Sequence, residues 1–259
     1  MLEGKVAVIT GSGSGMGREI ALKLAEKHAK VIVNDRNESL INETVQSIIN
    51  EGGTAIGKAA DVSKKIEVER LMETAMREFK GLDILVNNAG IFEGAFLEDM
   101  TEEQWDAVIN VDLKGAFLCT QASAKYMRQG KYGRVINISS ADSFIGNVGM
   151  VNYLAAKTGI FGFTAGVAKE FSRWVKDEGC VMTCNCIIVG YNVTRLTEED
   201  FPGEVRDHYA KEIPLGRPSN PREDVGNVVA FLASDKASYI TGSKISVTGG
   251  MYTCLAAYG

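Results

Sequence analysis

The sequence predicts an α/β fold: a doubly wound parallel sheet with helices on both faces, laid out as one domain over residues 1–259. Three observations carry this. Short β-branched runs alternate with helical patterns along the chain, which is the signature of βαβ units. The runs are nearly continuous in apolar residues, as strands covered on both faces should be. The first run leads directly into Thr10-Gly11-Ser12-Gly13-Ser14-Gly15-Met16-Gly17 and then a helical pattern. Taken in order, strands are expected at 6–10, 31–34, 55–59, 84–87, 135–139, 182–188 and 244–248, with helices at 18–28, 40–51, 66–79, 101–129 and 153–175 between them. No linker, low-complexity tract or internal repeat interrupts the alternation. Ligands of such sheets bind in the crevice outside the strands' carboxyl ends.

The composition narrows the function. Apolar residues make up 45% of the chain and charged residues 24%, a globular balance. The net charge is −5 and no dense basic block exists, so no nucleic-acid partner is expected. No export signal or membrane span is read from the sequence, and the expectation is a soluble, cytoplasmic protein. The five cysteines are Cys119, Cys180, Cys184, Cys186 and Cys254; an odd count argues against a disulfide framework. Cys184 and Cys186 form a C-x-C, but only His28 and His208 exist as further soft ligands and both are distant in sequence. No metal is expected, and the pair reads as small residues on a buried strand.

The glycine run is a mechanical device. Glycines permit a tight turn, close approach of backbone to a pyrophosphate, and packing of helix on strand, while the helix N-terminus presents N–H groups to phosphates. A dinucleotide is expected there, touching Gly11, Ser14, Gly15, Met16 and Gly17. The second strand ends in Asn34-Asp35-Arg36, where an acidic residue binds the adenine ribose hydroxyls. Asp35 repels a 2′-phosphate and favours NAD over NADP. Arg36 pulls the other way, whereas Ser14, not being basic, leans back toward NAD.

Tyr153 and Lys157 lie one helical turn apart and share a helix face. A phenol alone titrates near pH 10, too high for acid–base work at neutrality. A neighbouring ammonium is expected to lower it. The spacing by itself also fits an ordinary surface pair. Upstream, Ser139 and Ser140 close the strand at 135–139, on the edge expected to hold the glycine turn. A hydroxyl there can bond a carbonyl oxygen as charge develops on it.

With these motifs in order, the sequence resembles the classical short-chain dehydrogenase/reductase family over nearly its whole length. The resemblance rests on the Thr10–Gly17 turn, Asp61-Val62, Asn87-Asn88-Ala89-Gly90, Ser140 and Tyr153…Lys157, and continues through Pro214-Leu215-Gly216-Arg217 and the 231–242 segment. It implies Tyr153 as general acid or base, Lys157 as its electrostatic partner and holder of the nicotinamide ribose, and Ser140, not Ser139, as the group orienting the reacting oxygen. It further implies Asp61 and Val62 at the adenine, Asn88, Ala89 and Gly90 along its ribose, and Asn192 and Thr194 near the nicotinamide. One departure touches the chemistry: Asp112 stands where the family keeps an asparagine that holds a proton-relay water, and Asn110, two residues early, is expected to point elsewhere. Val189-Gly190 replaces the usual Pro-Gly, Thr248 replaces a late aspartate, and the 173–179 stretch reads as a few residues longer than usual.

Three functions compete. The first is an NAD-dependent dehydrogenase of a secondary alcohol or its ketone. The second is an NADPH-dependent 3-oxoacyl-[acyl-carrier-protein] reductase, for which Lys125, Arg128, Lys131 and Arg134 would supply the basic patch an acidic carrier needs. The third is a non-catalytic dinucleotide binder, disfavoured because both Tyr153 and Lys157 are present. The substrate is expected between residues 92–96, 142–150 and 191–209. The family resemblance implies a homotetramer assembled through the helices at 112–129 and 153–175.

Overall fold

The computed structural model describes residues 1–192 and 211–251. Seven strands, β1 (Val6–Ile9), β2 (Lys30–Asp35), β3 (Thr54–Ala59), β4 (Ile84–Asn87), β5 (Tyr132–Ser140), β6 (Val181–Val189) and β7 (Lys244–Val247), pair in one sheet of order β3-β2-β1-β4-β5-β6-β7. Every pairing is parallel. The order reverses between β1 and β4, which opens a crevice at their carboxyl ends.

The helices are α1 (Gly15–Glu26), α2 (Glu38–Asn50), α3 (Lys65–Phe79), α4 (Glu102–Val108), α5 (Gly115–Gln129), α6 (Asp142–Ile145), α7 (Val151–Glu178) and α8 (Gly226–Ala233). Strand side chains alternate between faces, and the sheet sorts them into two cores. Ala7, Ile9, Val31, Val33, Val86 and Ile136 pack with residues of α1, α2 and α8. Val6, Val8, Ile32, Leu85 and Val135 pack with Val68, Leu71 and Met72 of α3, Leu118 and Met127 of α5, and Phe171 of α7. Each fully buried Leu, Ile or Val contributes about 1.5–3 kcal/mol of transfer free energy. Both faces of the central strands are covered, which is why they read as nearly continuous apolar runs, whereas the edge strands β3 and β7 keep exposed positions.

Three helices depart from the sequence reading in ways that bear on the site. The helix expected at 101–129 is interrupted. α4 starts in a Thr101–Gln104 capping box and then widens into a π-helical stretch, Ile109–Lys114, before α5 begins. A wider turn accommodates one extra residue, a feature that 3.6-residue periodicity does not encode and that recurs at functional sites. It turns Asp112 into the protein interior, where its side chain is buried. α1 begins at Gly15 rather than residue 18, because the last glycines of the turn already belong to the helix. α7 is longer at both ends than expected and closes on Gly179 at φ +69°.

Candidate active site

The glycine turn is stitched to the end of β4. Thr10 Oγ1 accepts the N–H groups of Asn88 and Ala89, both at 3.1 Å. Asn88 Nδ2 donates to the Thr10 and Gly11 carbonyls at 3.0 Å each, so its amide braces the turn. A Cβ at Gly17 would collide with the Gly11 carbonyl and the Asn88 amide, so only glycine lets α1 lie this close. Ser14 sits in extended conformation at the α1 N-cap and its hydroxyl makes no capping bond. The first N–H groups of α1 therefore lack a side-chain acceptor and can take an anion. Gly13, Ser14 and Gly15 wall a cavity of about 940 Å³, closed on its far side by the 217–224 segment. Met16 packs on the core behind it.

Asp35 ends β2. Its Oδ1 accepts the N–H groups of Arg36 (2.7 Å) and Asn37 (3.1 Å), while Oδ2 leans over the turn, 2.9 Å from where a Gly13 Cβ would stand. The carboxylate is thus held rigidly at the mouth of the glycine turn, and Arg36 is exposed beside it. Burial would raise the Asp61 carboxyl, but hydrogen bonds from Ser63 outweigh it and hold it below the usual range. Val62 is buried against Gly115 at the head of α5. Asn192 donates to the Gly190 carbonyl at 2.6 Å and pairs with Ser219 across the chain. Thr194 lies outside the described residues.

The second half of the site is where β5 ends against α7. The two predicted serines separate cleanly. Ser139 Oγ donates to the Lys157 carbonyl at 2.8 Å and so pins strand to helix. Ser140 Oγ donates to Asp142 Oδ2 at 3.0 Å and accepts the Asp142 N–H at 3.3 Å. Tyr153 meets Phe92 edge to face at 6.0 Å between ring centroids. The Lys157 ammonium lies 5.5 Å from the Tyr153 ring centroid and 3.0 Å from Asp112 Oδ2. Asp112 Oδ1 accepts the Ile91 N–H at 2.8 Å. The π-helical stretch delivers Asp112 to this position, whereas Asn110 faces outward and accepts from Lys114 at 3.1 Å. Gly90 makes room for the pair: a Cβ there would stand 2.7 Å from Asp112 Oδ2 and 3.1 Å from Lys157 Nζ.

The electrostatics correct one expectation. Lys157 does pull the Tyr153 phenol down, but burial pushes it up more strongly, and Asp112 and Asp142 push the same way. The net direction is above the ordinary tyrosine value, not below it. Burial alone would lower the Lys157 ammonium, but Asp112 and Tyr153 overturn this and its pKa is raised, so the lysine stays charged.

Two polar residues at the site carried no signal in the sequence reading. Asn152 is fully buried and donates to the Glu93 and Gln104 carbonyls at 2.9 and 3.1 Å, tying the 91–97 loop and α4 to the start of α7. It stands next to Tyr153 and accepts its N–H at 2.7 Å. Asp142 engages the Ser140 hydroxyl, a contact that depends on the chain reversal after β5 and that no motif announces.

The basic patch considered for a carrier protein also needs correction. Arg134 is wholly buried at the start of β5. It donates to the Gly133 and Val181 carbonyls at 3.3 and 3.0 Å and stacks over Tyr132. Arg128 and Lys131 both bind Glu178, which cancels part of their charge. Spacing along the sequence did not reveal that the first residues of β5 point inward. Among the described residues no group of three His, Cys, Asp or Glu side chains could hold a metal, and no helix is long and apolar enough to cross a membrane.

A glycine turn with an uncapped helix on one side of the crevice and Ser140, Tyr153 and Lys157 on the other make up the candidate site. A family model described as "Enoyl-(Acyl carrier protein) reductase" matches residues 11–252. A 3-oxoacyl-[acyl-carrier-protein] reductase of Synechocystis sp. is 42% identical over 253 residues, covering 96% of this chain and 98% of the relative. A (3R)-3-hydroxyacyl-CoA dehydrogenase of Rattus norvegicus is 39% identical over 260 residues, 97% of each chain. Among solved structures, a putative short-chain alcohol dehydrogenase from Sinorhizobium meliloti 1021 superposes with a TM-score of 0.90 at 34% identity over 98% of both chains. The chain belongs to the classical short-chain dehydrogenase/reductase family, whose members bind a nicotinamide dinucleotide.

Proposed function

We propose that the protein is an NAD(H)-dependent oxidoreductase that interconverts a secondary alcohol and its ketone, with Tyr153 exchanging a proton with the substrate oxygen. The observation that carries this reading is the convergence of Ser140, Tyr153 and Lys157 at the carboxyl end of β5, on the sheet edge that also holds the glycine turn. The uncapped α1 N-terminus and the cavity beside it fit a pyrophosphate. Gly11, Ser14, Gly15, Met16 and Gly17 would hold it there. Asp35, with Arg36 beside it, would hold the adenine ribose, Asp61 and Val62 the base, and Asn88 to Gly90 the crevice wall. Lys157, Asn192 and Thr194 would hold the nicotinamide end. When bound, the nicotinamide supplies or accepts the hydride. Tyr153 donates its proton to the carbonyl oxygen in reduction and takes it back in oxidation, and Ser140 orients that oxygen. Lys157 keeps a positive charge behind the phenol.

The coenzyme preference rests on Asp35, whose fixed carboxylate at the turn opposes a 2′-phosphate. A second reading, reduction of a 3-oxoacyl group on a carrier protein, is favoured by the relative named for that activity. It sits poorly with Asp35 and with the burial of Arg134. Initial rates on a panel of ketones and secondary alcohols with each coenzyme decide between them. NADH should exceed NADPH, and a tenfold or larger preference for NADPH would overturn the assignment of Asp35. The groove between α5 and α7, lined by Phe117, Phe163, Phe171 and Trp174, supports assembly into a homotetramer.

A further inference from the structure

The ammonium behind Tyr153 is not a free charge. Lys157 and Asp112 are both buried, with side-chain exposures of 6% and 0%, and their charged atoms are 3.0 Å apart. Asp112 cannot swing away readily. It rides on the π-helical stretch, and its second oxygen is fixed by the Ile91 N–H at 2.8 Å. Among the described residues Lys157 is the cation paired with it. Gly90 covers the pair so closely that a Cβ would touch both charged atoms. The paired carboxylate presents the opposite charge to any third group nearby, so it offsets part of the ammonium's effect there.

Among the described residues, the other titratable groups near the phenol add no strong positive charge. Asp142 stands beyond Ser140, on the segment after β5. From β6, Cys186 faces Lys157, and burial pushes its thiol up to about 12, so it is uncharged at neutrality; Lys244 of β7 faces that thiol. Phe92 is the contact from the 91–97 loop and carries no charge.

We propose that Asp112 is a positioning residue that acts through Lys157. As the fixed counter-ion of the ammonium it offsets part of the pull on the phenol, helps keep Tyr153 protonated, and biases the site toward carbonyl reduction. In that direction the Tyr153 O–H bond breaks and its proton goes to the substrate oxygen, while the hydride of the reduced nicotinamide forms the new C–H bond. The phenolate left behind recovers its proton from water. This rests on the reading of Tyr153 as the proton donor given above.

The test needs no substrate. Phenolate absorbance in the near ultraviolet is titrated for the wild type and for Asp112→Asn, and in each background the matching Tyr153→Phe protein is subtracted to isolate Tyr153. Asp112→Asn should move the Tyr153 step down by about one unit or more, while Asp112→Glu, which keeps the charge, should leave it near the wild-type position. A shift smaller than about 0.3 unit in Asp112→Asn, or equal shifts in the Asn and Glu variants, would overturn the proposal. Should Asp112→Asn not fold, Asp112→Ser removes the same charge and is read in the same way. Turnover gives a second readout: the alkaline limb of kcat/KM for carbonyl reduction should move with the titration step. If Tyr153→Phe keeps its turnover, the assignment of the proton donor fails while the titration still reports on the ion pair, so the two failures are distinguishable.

Discussion

Replacing Lys157 with methionine removes one member of a buried pair and strands the other. Asp112 would keep its bond from the Ile91 N–H but lose the ammonium 3.0 Å away, with no side-chain exposure through which water could replace it. Breaking a buried pair in this way costs about 3–5 kcal/mol. The retained backbone bond argues for the lower end, about 3 kcal/mol, since a hydrogen bond to a charged group is worth roughly 1.5–3 kcal/mol. With an m-value of about 3 kcal/mol/M in urea, the unfolding midpoint should fall by about 1 M. The decisive comparison is Lys157→Met with Asp112→Leu in one chain. Replacing both charges by apolar groups is often neutral, so the double variant should recover at least about 2 kcal/mol of the single variant's loss. Circular dichroism across a urea series at fixed protein concentration measures both. A loss below about 1 kcal/mol for Lys157→Met, or no recovery in the double variant, would refute the view that the pair is desolvated and mutually dependent.

Tyr153→Phe should retain fold and coenzyme binding while kcat falls roughly 100-fold or more, as expected when a general acid is removed; near-full turnover would show that the proton comes from elsewhere. Gly17→Ala should weaken binding of NADH, followed by its fluorescence, because the added methyl group meets the Gly11 carbonyl and the Asn88 amide; the loss should exceed about tenfold, or roughly 1.4 kcal/mol. The Glu26 carboxyl is held at about 2 by hydrogen bonds from Lys27 and then Lys23. A depressed folded-state value contributes stability above the unfolded value that is lost as pH falls through the folded one, so Glu26→Gln should flatten the urea midpoint's decline between about pH 4.5 and 2, by less than about 1 kcal/mol because the pair is partly exposed. The buried thiols Cys119 and Cys186, both pushed up to about 12 by burial, should resist alkylation in the native protein at pH 8 and react only on unfolding, as mass spectrometry of labelled peptides would report.

The alternation of strand and helix was legible because the central β-branched runs are covered on both faces and so are mostly apolar. The glycine turn and Tyr153…Lys157 were legible because their chemistry is local: one needs close backbone approach, the other one helical turn. What remained hidden depends on how the chain is wound in three dimensions. The burial of Arg134 follows from the position of β5 between β4 and β6, which spacing does not record. The π-helical stretch was invisible because an i→i+5 widening leaves the apolar pattern nearly intact, yet it decides where the Asp112 carboxylate stands. The direction in which Tyr153 is pushed was misread for the same reason. The sequence supplies the partner at i+4, but not the desolvation or the second carboxylate.

The asparagines that share a register position on β4 and β5 do more than fill the sheet. Asn87 Nδ2 donates to Asn137 Oδ1 at 2.8 Å and to Thr120 of α5 at 3.0 Å, and Asn137 Nδ2 donates to Thr164 of α7 at 2.9 Å. This chain of amides and hydroxyls works as a vernier through the apolar interior. Sliding either strand or either helix by one residue would leave buried amides unanswered, at about 1–3 kcal/mol for each group. Asn137 lies three residues before Ser140 on the same strand, and Thr164 seven residues after Lys157 on the same helix. The alignment of the two halves of the site is thereby calibrated from beneath, by groups that never meet the substrate.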